Sequence, residues 1–327
     1  MVAHARHGAR TAEGHVISRR NLVSALNARK VADWVVIERV QELAVITEDR
    51  PTRRTEERTR WTVVVHHDVP RGRGTARLEL TTRQGEAKDV IEQAISLASA
   101  AIGPAWTSTP AAAPANVNVL DGTLEKADLS VIATEIARSA KRPAGSTVQL
   151  GIELLRERVT VQAESGFQTS WLATSVTAAG LIAVGDHSLD ISRDARRRQD
   201  LDLDRALELA AADLGLLATA GTPVPGKCAV LLRADALLHG GGLGVWSVFA
   251  DHANAEAERQ GLTRYRQSTA ITPGADTLAE PLTITSDGAL DFASRSAPVG
   301  DEGDAVRRFA LIERGIATGL GISAREA

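Results

Sequence analysis

The chain has 327 residues, with 38 Lys and Arg against 41 Asp and Glu and a formal net charge of -3. That length argues for two domains, and the balanced charge excludes the basic field that attracts nucleic acid or anionic lipid. No apolar run approaches the roughly 20 residues needed to span a bilayer, and the only cysteine, Cys228, sits in the apolar run Cys228–Leu232 as a small core residue, so a reducing, cytoplasmic setting is expected.

Residues 1–18 are polar, lack the apolar centre of a signal peptide and read as a flexible tail. Leu22, Leu26 and Val31 then recur near helical spacing, and the β-branched run Trp34–Val40 reads as a strand. Gln41–Glu48, Arg60–Asp68 and Thr75–Thr82 follow as strands, the last two joined through the Pro70–Gly74 turn. Val90–Ile102 carries an apolar helical stripe behind early acids that suit a helix N-terminus. Residues 19–103 thus form an expected N-terminal α/β domain, with helices on an antiparallel or mixed sheet. Three prolines and a run of alanines mark residues 104–122 as a linker.

The second unit, residues 123–327, is expected to be β-rich, making the whole chain α+β. It opens with a helix over Leu124–Ala140, then strands Thr147–Leu154 and Arg158–Ala163 that reverse through Arg156 and Glu157. Ser165 and Gly166 make the next turn, with strands over Thr169–Thr177 and Gly180–Gly185. Leu203–Leu217 reads as an alanine-rich helix introduced by Asp202 and Asp204, and Lys227–Leu232 as a strand. Beyond it the chain is rich in Gly, Thr, Ser and Asp, with strand-like pieces at Leu282–Thr285 and Arg307–Arg314.

Three groups of residues bear on chemistry. His239-Gly-Gly-Gly242 has the form of an oxyanion-hole loop, but no Gly-x-Ser-x-Gly elbow accompanies it and the glycines lack dinucleotide-binding spacing, so close backbone packing is the favoured role. His66 and His67 end a strand, where successive side chains point to opposite faces, so both do not readily chelate one ion; solvated strand-end histidines are expected, and His187 and His252 stand alone. Asp287, Asp291, Asp301, Glu302 and Asp304 place five carboxylates in eighteen positions, with Arg295, Arg307 and Arg308 nearby. Two such carboxylates could divide acid and base work, but Gly and Pro punctuate the segment, and turn-ending and ion-pairing roles are favoured.

That segment also carries a resemblance. Pro281-Leu-Thr-Ile-Thr-Ser-Asp287-Gly288, Ser296-Ala-Pro-Val-Gly-Asp301-Glu302-Gly303 and Leu311-Ile-Glu313-Arg-Gly315 follow one another in the order and spacing of the TldD/PmbA family (the modulator of DNA gyrase family). The Ser165-Gly166 turn, the Leu203–Leu217 helix and the Pro225–Leu232 strand fall where that family has a glycine turn, a helix and its central strand. In its catalytic members the segment after the central strand bears His-Glu-x-x-x-His, two zinc ligands and a base. Here Gly240 follows His239 and Gly244 stands where the second histidine would be, and a bound water needs that full apparatus to be activated.

The resemblance therefore implies a TldE/PmbA-like, metal-free subunit without catalytic residues, with no cofactor in this chain and zinc in a TldD-like partner carrying His-Glu-x-x-x-His. The pair would act on unfolded or leader-bearing peptides. The family's final stretch past the hairpin, with its cysteine ligand, does not follow before Ala327, which reads as a shortened subunit. Ser165, Gly166, Asp287, Asp301, Glu302, Arg307 and Arg308 are the implied interface or substrate-contact positions. The competing expectations are an autonomous hydrolase built on the Asp287–Asp304 carboxylates, and a scaffold or peptide-binding protein.

Overall fold

A computed structural model describes residues 17–48, 52–70, 72–81, 86–101, 103, 113–222, 225–227, 252–263, 265–270, 282–300 and 302–321. The expected strand at Lys227–Leu232, Cys228, and the His239–Gly244 segment, apart from Lys227 itself, lie outside these residues.

β1 (Asp33–Thr47) runs unbroken where two strands were expected, and it alternates between the two sheet faces along its length. It pairs antiparallel with β2 (Thr52–Val69) on one side and with β4 (Thr147–Ala163) on the other. With β3 (Gly72–Thr81), β5 (Gln168–Val184) and β6 (His187–Ala195) they make a six-stranded sheet in the order β3-β2-β1-β4-β5-β6. Strands from both sides of the expected linker thus share one sheet. The fold is α+β and mostly β.

Two sequence expectations are corrected here. No reversal occurs at Arg156 and Glu157: both lie mid-strand in β4, opposite Glu42 and Gln41 of β1 and Thr174 and Ala173 of β5. Their charges look like a turn in sequence, but partners on the neighbouring strands satisfy them. Likewise β5 does not break at Ala178-Ala179, because both flanking strands supply its backbone partners there. β6 was not anticipated.

One face of the sheet is covered by helices. Ser18 caps α1 (Arg19–Ala28) by accepting from the Asn21 N–H, and α1 and α2 (Ala87–Ala100) bury Leu22, Leu26, Ile91 and Ala94 against Trp34, Val36, Trp61 and Val63. Toward the β4–β6 side, α3 (Leu129–Ser139) and α4 (Leu203–Leu217) place Leu129, Ala133, Leu207 and Leu214 on Leu150, Ile152, Leu154 and Val176. Each leucine so buried contributes on the order of 2 kcal/mol. Asp128 caps α3 through the Ser130 and Val131 N–H groups, so this helix begins five residues later than its apolar pattern suggests. Asp202 stands at the head of α4 with φ +45° but makes no side-chain cap; the Asp204 carboxylate instead accepts the Lys141 N–H at 2.9 Å.

The C-terminal part adds a short helix α5 (Ala255–Arg259) and a three-stranded sheet of β7 (Ile284–Asp287), β8 (Arg308–Glu313) and β9 (Ile316–Ala317). Ala253, Tyr265, Leu311, Ile312 and Ala317 form its own small core. Among the described residues no helix is long and apolar enough to cross a membrane.

Candidate functional site

Because β1 alternates, Trp34 and Val36 face the helices while Val35, Ile37, Arg39 and Gln41 line the opposite face of the sheet. On that face Val35, Ile37, Val64, Val159 and Val161 are covered by Val299 from the loop that precedes β8. The apolar cover ends at Arg39, and a polar cluster takes its place.

Glu157, mid-way along β4, is buried there. Gln41 Nε2 donates to its Oε2 at 2.9 Å, Arg39 Nη1 lies 3.5 Å from its Oε1, and Arg58 Nε donates to Gln41 Oε1 at 2.8 Å. Beside it, Arg196 fastens the loop to the sheet: its Nε, Nη1 and Nη2 donate to the carbonyls of Ala293, Thr174 and Ser296 at 3.3, 3.2 and 3.1 Å. Burial pushes the Arg196 pKa down; the Glu157 carboxylate opposes this, and the nearby Arg39 and Arg295 cations add to it. Between these groups lies a cavity of about 40 Å³, lined in part by Arg39, Glu157, Trp171, Arg196, Ser296 and Val299. Ser296 is 2% exposed, and its Oγ has no hydrogen-bond partner among the described residues.

A second polar knot holds the segment before α3 to the same sheet. Asp121, itself buried, accepts the Thr123 hydroxyl and N–H at 2.7 and 2.9 Å and the Arg198 N–H at 3.0 Å. Burial alone would raise its pKa, but the Thr123 and Arg198 hydrogen bonds outweigh that and hold the carboxyl below its usual value. Thr174 joins the two knots, accepting the Asp121 N–H at 2.8 Å and donating to the Arg196 carbonyl at 2.9 Å.

The positions singled out from sequence fall in two places. Ser165 and Gly166 are exposed in the β4–β5 turn, where Gly166 takes φ +85° and donates to the Ala163 carbonyl at 3.2 Å. Glu302 is half-buried beside Gly303, which comes to rest near Val161 and Phe167 at that same end of the sheet. Asp287 and Arg308 lie apart from these, opposite each other on β7 and β8, with Arg308 Nε 3.6 Å from Asp287 Oδ2; Arg307 is exposed one residue earlier. Asp301 lies outside the described residues. Asp291 accepts the Asn118 N–H and Nδ2 at 2.7 and 2.9 Å, and these bonds lower its pKa.

His66 departs from the solvated role expected of it. β2 continues past it to Val69, and it is 3% exposed with Nδ1 3.0 Å from Thr75 Oγ1, while His67 points outward. His252 Nδ1 is 3.1 Å from Thr263 Oγ1. Among the described residues no three His, Cys, Asp or Glu side chains converge to hold a metal ion, so they do not supply a zinc ligand set. The described cluster can hold a polar group; among the described residues the Ser296 hydroxyl makes no hydrogen bond to a base of the kind that activates a nucleophile. Arg39, Glu157, Arg196 and the Ser296 hydroxyl were missed in sequence. The available signal was a charged residue at open-face parity near the middle of each of two long strands, Arg39 in β1 and Glu157 in β4.

Residues 225–327 match the PmbA/TldA metallopeptidase C-terminal domain. Three solved structures share the fold. A candidate modulator of DNA gyrase from Thermotoga maritima is similar at 16% identity and a TM-score of 0.69, over 94% of this chain and 70% of that one. A second, from Bacteroides thetaiotaomicron, is similar at 14% identity and a TM-score of 0.64, over 93% and 71%. TldE from Thermococcus kodakarensis is similar at 16% identity and a TM-score of 0.65, over 93% and 69%. No protein of curated function matches the sequence.

Proposed function

We propose that the chain, whose residues 225–327 match the PmbA/TldA metallopeptidase C-terminal domain, is the TldE-like, non-catalytic subunit of a two-subunit zinc peptidase of the TldD/PmbA kind, holding peptide for a TldD-like partner. The observation that carries this reading is in the sequence: after the central-strand segment the chain reads His239-Gly240-Gly-Gly-Leu-Gly244, with glycine where a catalytic subunit needs its glutamate and second histidine. A single histidine neither fixes zinc with an open position nor supplies the base for its water.

The fold offers surfaces suited to holding a chain. The open face of the large sheet carries a polar floor around Gln41 and Glu157 next to an apolar, loop-covered end. An extended peptide laid along a sheet edge takes main-chain hydrogen bonds that tolerate many side chains. The partner would contribute zinc and its ligands; this chain would contribute position, in the cytoplasm, on unfolded or leader-bearing peptides.

The test is co-purification of the tagged chain from its native extract, with metal analysis of the complex and of the chain alone. Zinc and peptidase activity that appear only with a partner carrying His-Glu-x-x-x-His support the reading. A chain that elutes alone, or hydrolyses peptides without a partner and in the presence of chelator, overturns it.

A further inference from the structure

We propose that the cavity between β1, β4 and the Ala293–Gly300 loop is a binding site for a carboxylate group. Three features point to an anion. First, the side chains of Arg39 and Arg196 both line the cavity, with Glu157 as the acid beside them. Glu157 is already engaged by Gln41 and Arg39, and Arg196 donates to the Thr174, Ala293 and Ser296 carbonyls, so that among the described residues its charge has no direct carboxylate contact. Second, the Ser296 hydroxyl is a donor left without a partner in a residue 98% buried, given its 2% exposure, and it lines the cavity. A buried hydroxyl without a partner has lost its hydration for no hydrogen bond in return, so an acceptor is favoured there. Third, the space of about 40 Å³ has room for roughly three water molecules, which suits a carboxylate and not a whole side chain of an aromatic residue.

Charge-assisted bonds to a carboxylate from a hydroxyl and a guanidinium are stronger than neutral ones, and they gain further in a site lined by Val159, Val161 and Val299. The group could come from a peptide's C-terminus or from an acidic side chain. A peptide as its carrier rests on the substrate-holding reading above; the cavity's preference for carboxylate does not, and it is measured on this chain alone.

Acetate, acetyl-tetra-alanine with a free C-terminus, its C-terminal amide, acetyl-Ala-Glu-Ala-amide and its Gln counterpart are titrated into the full chain by calorimetry. The free acid or the Glu peptide is expected to bind at least tenfold more tightly than its neutral counterpart and to be displaced by acetate, with affinity falling as salt rises. The tighter of the two identifies the source of the group. Ser296→Val, which fills the cavity, and Arg39→Gln are each expected to weaken binding at least tenfold, while Ser296→Ala serves as the folded control with a smaller loss. Equal binding of acid and amide, no binding of any probe, or wild-type binding by a folded Ser296→Val chain overturns the proposal. Failure of the partner co-purification would leave it standing.

Discussion

Gln41 and Glu157 stand opposite each other on β1 and β4, and the Gln41 amide donates to the Glu157 carboxylate at 2.9 Å within the face of the sheet that the helices leave open. Both are buried, so the pair's removal exposes an unmet need. Glu157→Ala is expected to cost about 2–4 kcal/mol, because the buried Gln41 amide and the partly buried Arg39 guanidinium lose their acceptor. Glu157→Gln keeps an acceptor and should cost roughly 1 kcal/mol or less. Urea unfolding midpoints at constant m-value measure both, and equal losses would refute this account.

Asp121 gives the fold an acid sensitivity with a definite sign. Its carboxyl titrates below its unfolded value, so the stability it contributes is complete above the unfolded pKa of about 4 and disappears as pH falls through the lower folded value. Asp121→Asn should destabilise the chain at neutral pH by about 1–3 kcal/mol and remove that part of the acid dependence. Thermal unfolding of both proteins between pH 7 and pH 3 checks it; parallel curves would contradict the assignment.

Gly74 in β3 passes under the last turn of α2 so closely that a Cβ there would come 1.8 Å from the Ala98 carbonyl oxygen. Gly74→Ala must therefore push α2 off the sheet, at a cost of about 2–3 kcal/mol. The expected signature is faster amide exchange across Ala87–Ala100 than in α4, measured by hydrogen–deuterium exchange.

Arg156 pins the segment before α3. Its Nη1 donates to the Leu124 and Glu125 carbonyls, each at 2.7 Å, and to Ala127 at 3.2 Å, while Nη2 pairs with Glu42. Arg156→Met retains the aliphatic stem and loses these bonds, so new proteolytic cleavage at residues 124–127 is expected, with β4 itself still protected.

The Asp287–Arg308 pair is of a different kind. Arg308 is 74% exposed and the separation is 3.6 Å, so Arg308→Gln should change stability by less than about 1 kcal/mol and the difference should vanish in high salt. A larger loss in urea unfolding would mean that Arg308 has a structural role beyond this contact.

Elements with strong local periodicity were legible in the sequence: α4 runs over Leu203–Leu217 as its apolar spacing requires. The long strands were broken in the reading after Val40, at Arg156 and Glu157, and at Ala178-Ala179, because a polar or small residue inside a strand is accommodated only by partners far away in sequence. Gln41 and Arg196 are such partners, and no local pattern announces them. β6, with His187, Ser188, Asp190, Ser192 and Asp194 along it, is a polar edge strand whose pairing with β5 sets its conformation where its own pattern would not. Family motifs located Asp287, Glu302 and Arg308 without regard to their surroundings, and so named neither Glu157 nor the cavity beside it.

The central place of β1 has a consequence for how the chain is made. Its first neighbour, β2, emerges from the ribosome at once, but the residue that meets Gln41 on its other side lies 116 positions downstream. At ordinary rates of translation that edge stays uncovered for on the order of ten seconds. Throughout the wait, a nascent β1–β2–β3 meander offers other nascent chains an unpaired strand edge, so the newborn protein's need for a chaperone should be greatest before Thr147 has been added and should fall once β4 has docked.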